Sequence, residues 1–210
     1  MNASHPGPLA GLYVILDSSV GPSRSLGDIL KEAAGAGAKL FQYRNKSASM
    51  REAYVEAMAL RKIAAELGVK LIVNDRCDLA LAVDADGVHL GQGDLPYREA
   101  RAILGADKLI GLSTHSPEQV QAADCLHPDY IGFGPIFKPG SKQDHDPVVG
   151  IHGLRQIRAL TLLPVFAIGG ITLENVGEVI KVGADGVAVI SAILAAPDVR
   201  HAVTDFVSRI

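Results

Sequence analysis

Cysteine is scarce: Cys77 and Cys125 are the only two in 210 residues. They show no metal-ligand spacing and offer no disulfide framework, so free thiols in a reducing compartment are the expectation. An excess of one charge is missing too. The formal net charge is −3 with acids and bases interspersed, which argues against a general nucleic-acid or membrane-surface binder, since those carry a basic face. No apolar run approaches the roughly 18 residues that a spanning helix needs. The polar, Pro/Gly-rich first eleven residues contain no basic n-region followed by an apolar h-region. Low-complexity linkers are absent, and no Ser/His/Asp or Cys/His constellation stands out. These absences leave a cytoplasmic protein whose partners are small molecules, with no nucleic acid and no membrane, and with homo-oligomerisation left open. The expected organisation is a flexible lead-in over 1–11 followed by one domain over 12–210.

What the chain does have is a repeating alternation. Hydrophobic residues make up 48% of it, enough for one substantial core. Eight short apolar, β-branched runs end in polar, glycine or acidic residues: Leu12 to Asp17, Leu40 to Arg44, Leu71 to Asp75, Gly87 to Gly91, Leu109 to Thr114, Tyr130 to Pro135, Val165 to Gly170 and Val187 to Ser191. Strands apolar on both faces that alternate with helical stretches predict a parallel sheet covered by helices. Eight of them predict an α/β fold of the closed (β/α)8 type, a TIM barrel. The clearest helix is Ser49 to Leu67, with an apolar stripe at spacings of three and four and Gly68 at its end. Others are expected near Ser25 to Ala36, Cys77 to Val83, Pro96 to Leu104, Pro117 to Leu126, Ile151 to Leu160, Leu173 to Val182 and Pro197 to Val207, with the prolines in first turns.

In a barrel the C-terminal strand ends converge on one mouth. Gln42, Arg44, Lys46, Asn74, Asp75, Asp94, Ser113, Lys142, Gly170 and Ser191 are therefore expected to face a common pocket. Gln42, Arg44 and Lys46 alternate, and two cations with an amide donor suit a phosphate or diphosphate, Arg as a planar fork and Lys as a point charge. The competing reading is a solvated strand end. Asp75 and Asp94 follow successive strands and, with no His/Cys cluster around them, would suit Mg²⁺ held by one or two carboxylates, waters and substrate phosphates. Each alone could equally be a helix cap. Lys142 lies in a long polar loop after the sixth strand, a natural substrate loop. Gly169-Gly170 and Ile190-Ser191 stand where barrels bind a monophosphate through main-chain N–H groups, or where tight turns need positive φ. His89, inside an apolar run, reads as a satisfied core residue, and His115, at the mouth, as a positioning group.

Taken in order, Gln42-Tyr43-Arg44-Asn45-Lys46, Asn74-Asp75, His89-Leu90-Gly91-Gln92-Gly93-Asp94, Gly111-Leu112-Ser113-Thr114-His115, Gly132 to Phe137, Ile168-Gly169-Gly170-Ile171 and Val189 to Ile193 resemble the thiamine-phosphate synthase family across almost the whole chain. The resemblance implies a transferase that joins 4-amino-2-methyl-5-(diphosphooxymethyl)pyrimidine to hydroxyethylthiazole phosphate, or to its carboxylated precursor, and releases diphosphate. Carried over by position, Gln42, Arg44, Lys46, Asn74 and Lys142 would hold the pyrimidine diphosphate, Ser113 the pyrimidine, and Asp75 and Asp94 its Mg²⁺. Arg44, Lys46, Lys142 and Ser113 would be the catalytic set. Pro139, Gly140 and Ser141 would lie by the thiazole substrate, and Gly170, Ile190 and Ser191 would cradle its phosphate. The loop departs from the family's threonine-rich pattern, because Pro139 brings neither hydroxyl nor N–H and only Ser141 retains a hydroxyl. Two rival readings remain: a thiazole tautomerase-like enzyme, which need not bind a metal diphosphate, and a catalytically silent protein that binds thiamine precursors.

Overall fold

The computed structural model describes residues 9–20, 24–138 and 147–210. Eight parallel strands close into a barrel in sequence order: β1 (Gly11–Asp17), β2 (Leu40–Arg44), β3 (Lys70–Asn74), β4 (Gly87–Leu90), β5 (Leu109–Thr114), β6 (Tyr130–Phe133), β7 (Val165–Ile168) and β8 (Gly186–Val189). β8 returns to pair with β1, so no edge is left open. The outer ring is formed by α1 (Leu26–Gly35), α2 (Met50–Leu67), α3 (Cys77–Ala82), α4 (Tyr97–Leu104), α5 (Pro117–Asp124), α6 (Gly150–Arg158), α7 (Val176–Lys181), a short α8 (Ser191–Leu194) and α9 (Val199–Val207). Among the described residues no helix is long and apolar enough to cross a membrane. Cys77 and Cys125 are both free thiols. Residues 1–8, most of the expected lead-in, lie outside the described residues, and β1 begins at Gly11.

Local chemistry explains why the helices start and stop where they do. Ser49 closes a capping box with Glu52 at the head of α2, and Gly68 ends that helix in the left-handed conformation at φ 64°. Ser25 and Ser116 cap α1 and α5, and Pro117 occupies the first turn of α5. The other two prolines expected in first turns sit earlier. Pro96 is the N-cap of α4, and Pro197 precedes Asp198, whose carboxylate caps α9. Pro96 takes the extended conformation usual for an N-cap, at φ −58° and ψ 148°, which proline's fixed φ allows. Helix α8 was not anticipated, because four residues carry no periodic signal.

Two apolar layers divide the strands' faces. Outward-facing side chains such as Val14, Leu71, Val88, Ile110 and Val187 pack against the helices. Inward-facing Tyr13, Ile15, Leu40, Ile72, Tyr130, Phe166 and Ala188 fill the barrel itself. Large rings fit because glycines face them. A Cβ on Gly111 would stand 2.1 Å from Cζ of Tyr130, and one on Gly186 2.6 Å from Cε1 of Phe166. The rings of Tyr13, Tyr130 and Phe166 meet edge to face at centroid distances of 5.4–5.8 Å. This aromatic plug is the floor on which the site rests.

Candidate active site

Above the plug a cavity of about 570 Å³, its solvent-open mouth included, is lined by Ile15, Gln42, Arg44, Asn74, His89, Ser113, His115, Ile168 and Ile190, with Tyr13, Tyr130 and Phe166 beneath. Its floor is polar in one continuous line. The Gln42 amide Nε2 donates to the Tyr13 hydroxyl at 2.8 Å, and the Tyr13 and Tyr130 hydroxyls share a hydrogen bond at 2.9 Å. Tyr130 meets His89 Nδ1 at 3.1 Å, and His89 Nε2 meets Ser113 Oγ at 3.0 Å. His89 is thus a satisfied interior residue, and burial pushes its pKa down to about 4, so the imidazole is neutral at physiological pH. Burial raises both tyrosines above the ordinary phenol range. They act here as neutral hydroxyls.

One layer higher, at the mouth, the cations stand apart from this line by the period-two geometry of β2. Gln42 faces the floor and Arg44, two residues on, faces the rim. Arg44 Nη1 pairs with Oδ2 of Asp17, an almost wholly buried carboxylate whose Oδ1 also accepts from Ser19 N at 2.9 Å and Ser19 Oγ at 2.6 Å. Asp17 therefore fixes one edge of the guanidinium and leaves its other N–H groups for a ligand. The sequence reading missed this residue. The signal was the strand ends themselves, since pairing β1 with β2 sets Asp17 opposite Arg44. The loop carrying Lys46 is held from the outside. Asn45 Oδ1 accepts from the backbone N–H of Ser47 and Ala48, and Glu56 of α2 accepts from both Asn45 Nδ2 and the Tyr43 hydroxyl.

Asp75 and Asp94 come together at the ends of β3 and β4. Their carboxyl groups are electrostatic neighbours, and burial together with the Asp75 carboxyl holds Asp94 above the usual carboxylate range. Lys46 Nζ stands 3.5 Å from Asp75 Oδ2. Asp94 Oδ2 also accepts from Gly91 N at 2.7 Å, closing the turn after β4. Asp75 sits at φ 63°, a left-handed conformation uncommon for a residue with a side chain. Its backbone N–H donates to His89 O at 2.8 Å, which ties the acidic pair to the strand carrying the floor histidine. Neither acid caps a helix: α3 starts without a side-chain cap, and so does α4.

Across the mouth, the turns after β7 and β8 complete the ring. Gly169 and Gly170 have φ 95° and 63°, and a Cβ on Gly170 would stand 2.7 Å from Lys138 O, so both glycines are required by the close approach of the chain after β6. That segment is pinned by Ile136 N to Ile168 O at 2.8 Å and by Phe137 N to Gly169 O at 3.0 Å. Ile190 lines the cavity and Ser191 opens α8, whose first N–H groups have no acceptor within the helix. His115 Nδ1 lies 2.6 Å from Gly134 O, fixing the ring against the start of the same segment. The structure thus gathers Gln42, Arg44, Asn74, Ser113 and Ile190 on one cavity, with Lys46, Asp75 and Asp94 at its rim on one side. Gly170 and Ser191 lie in the adjoining turns rather than in the lining. Pro139, Gly140, Ser141 and Lys142 lie outside the described residues.

Comparison with known proteins shows the family. A family model described as thiamine monophosphate synthase matches residues 12–193. A thiamine-phosphate synthase of Chloroflexus aurantiacus is 46% identical over 191 residues, covering 91% of this chain and 88% of that protein. One from Methanospirillum hungatei is 43% identical over 196 residues, covering 93% and 95%. Among solved structures, a thiamine phosphate pyrophosphorylase from Pyrococcus furiosus superposes with a TM-score of 0.86 at 40% identity, covering 95% of each chain.

Proposed function

The chain belongs to the thiamine-phosphate synthase family, and on that premise we propose how its own residues make the reaction work. It is a transferase of thiamine biosynthesis. The reading is that 4-amino-2-methyl-5-(diphosphooxymethyl)pyrimidine sits ring-down on the floor formed by Gln42, His89 and Ser113, with its diphosphate turned to the rim. Hydroxyethylthiazole phosphate, or its carboxylated precursor, enters from the side of β7 and β8. There the N–H groups around Gly170, Ile190 and Ser191 meet its phosphate.

The chemistry needs charge control more than proton transfer. The attacking thiazole nitrogen carries no proton and the product is a thiazolium, so forming the new C–N bond calls for no general base. Breaking the C–O bond to diphosphate is the costly event. The aminopyrimidine can share the positive charge that develops on its methylene, which favours a dissociative course. Arg44, Lys46 and Asn74 stand where the departing oxygens would be, and fixed donors there stabilise charge as it develops without reorganising. Asp17 keeps the Arg44 guanidinium in place at the rim. The two substrates held on one cavity supply the alignment.

The donor set at the rim fits a hard divalent ion. Asp75 and Asp94 provide two carboxylates, and among the described residues there is no cluster of three or more His, Cys, Asp or Glu that would make an all-protein cage. Diphosphate oxygens and waters would fill the remaining positions, the pattern typical of Mg²⁺. When bound, Mg²⁺ would neutralise the leaving diphosphate. The observation that carries the reading is the pairing of Asp75 with Asp94 beside Lys46, whose Nζ lies 3.5 Å from Asp75 Oδ2, since neighbouring carboxylates favour a cation or a proton between them.

Purified protein incubated with both precursors tests it. Thiamine phosphate and diphosphate should appear in equal amounts in Mg²⁺ and fall to background when the metal is chelated. Binding of both precursors without product would instead indicate a silent binding protein, and full turnover without metal would remove Mg²⁺ from the account.

A further inference from the structure

The line of hydrogen bonds beneath the cavity has a property that its members lack singly. All five members line the cavity, but the polar atoms of the three inner ones, Tyr13, Tyr130 and His89, are engaged by the neighbour on either side, which leaves the two ends, Gln42 and Ser113, to turn polar atoms to a ligand. Each inner member is a relay. A phenol hydroxyl that accepts from one neighbour donates to the next, and a neutral imidazole has one donor and one acceptor nitrogen. The direction of every bond is therefore set by any one of them. Gln42 Nε2 donates to Tyr13, so Tyr13 donates to Tyr130, Tyr130 to His89 Nδ1, and His89 Nε2–H to Ser113 Oγ. The chemistry of the ring pair favours the same direction, because phenol is the stronger acid and the bare imidazole nitrogen the stronger base. Among the described residues every buried side-chain nitrogen and oxygen has a partner, so reversing one bond of the line alone leaves a neighbour unmatched.

We infer that Tyr13, Tyr130 and His89 are positioning residues that set the polarity of the two ends, turning the Gln42 amide oxygen to the cavity and leaving the Ser113 O–H free to donate, and thereby select an amino-substituted over an oxo-substituted pyrimidine. The inference rests on the proposed reading of the substrate. A 4-aminopyrimidine edge presents an N–H donor beside a bare ring nitrogen, matching an acceptor and a donor on the protein. Its 4-oxo analogue presents a carbonyl beside a ring N–H and meets acceptor against acceptor and donor against donor. Accepting it at Gln42 requires the amide to turn over and the line behind it to reverse, whereas Ser113, with a second lone pair, need only turn its O–H away. An unmatched polar pair in a buried site is costly, which is why sites that hydrogen-bond a substrate discriminate strongly against analogues that cannot answer.

Two measurements test it. The first is direct and needs no substrate. Nitrogen NMR of the His89 imidazole at neutral pH should show the Nε2–H tautomer in the wild type; the Nδ1–H tautomer would mean that the order runs the other way and would overturn the inference. The second compares kcat/KM for the 4-amino pyrimidine diphosphate and its 4-oxo analogue. The wild type should prefer the amino substrate by about 100-fold or more. Tyr130→Phe cuts the line in the middle, lets each end turn independently, and should reduce the preference to within about tenfold. Tyr13→Phe cuts it at another link and should do the same, which guards against one variant failing to fold. A uniform fall with both substrates, the ratio intact, would mean that the tyrosines only support the fold. Should the wild type turn over neither pyrimidine, the substrate reading is at fault, and the tautomer still decides whether the line is ordered as inferred.

Discussion

At the scale of single residues, two titratable groups of the cavity and its rim carry opposite consequences for stability. Asp94 is held above the ordinary carboxylate range by burial and by Asp75, so the folded chain binds its proton more tightly than the unfolded chain does. Its contribution is present below the unfolded value and lost as pH rises through the folded one. At neutral pH the metal-free protein carries a pair of acids that disfavours the fold. Asp94→Asn keeps an oxygen for the Gly91 N–H and removes the repulsion. It should raise the denaturant midpoint of metal-free protein at pH 7, with the gain vanishing in acid, while turnover falls by orders of magnitude. His89 runs the other way. Its pKa drops from 6.5 to about 4 on burial, so its contribution is intact above pH 6.5 and lost as pH falls through about 4, at up to ~1.4 kcal/mol per pH unit within that window. Urea unfolding between pH 7 and pH 4 should show that slope in the wild type and a flatter one in His89→Asn.

At the scale of elements, each strand brings its chemistry to the mouth only because the element after it returns the chain to the other end of the barrel. Helix α2 does this between β2 and β3, and its start is decided by Ser49 and Glu52. Ser49→Ala should cost about 1 kcal/mol in chemical unfolding and leave kcat unchanged, since neither residue lines the cavity. Most of this alternation was readable in the sequence. Buried parallel strands are near-continuous apolar runs, and β2 and β5 end where the change of residue type says they should. The role of Asp17 was not readable in the same way. An acid closing an apolar run looks the same whether it is solvated or paired, and only the register that sets β1 beside β2 makes it the partner of Arg44. The order of the floor was hidden for a related reason. Tyr13 and Tyr130 are 117 positions apart and sit in apolar strands, where a tyrosine reads as core until closure of the barrel brings the two hydroxyls to 2.9 Å.

At the scale of the whole molecule, the barrel separates two tasks by depth. The floor is neutral, a line of matched hydrogen bonds among aromatic rings. The rim is charged, with Arg44 paired to Asp17 and Lys46 beside Asp75 and Asp94 at the ends of β1 to β4. A molecule with an aromatic ring at one end and a diphosphate at the other is complementary to that gradient. The sequence carried the rim more openly than the floor, because charges at strand ends are conspicuous and a hydrogen-bonded interior is visible only in three dimensions. Calorimetric titration of the pyrimidine diphosphate into wild type and into the Asp75→Asn/Asp94→Asn double variant, each with and without Mg²⁺, tests the division most directly. The account predicts that Mg²⁺ strengthens binding to the wild type at least about tenfold, a coupling of ~1.4 kcal/mol, and leaves the double variant unmoved. Equal strengthening in both proteins would contradict it.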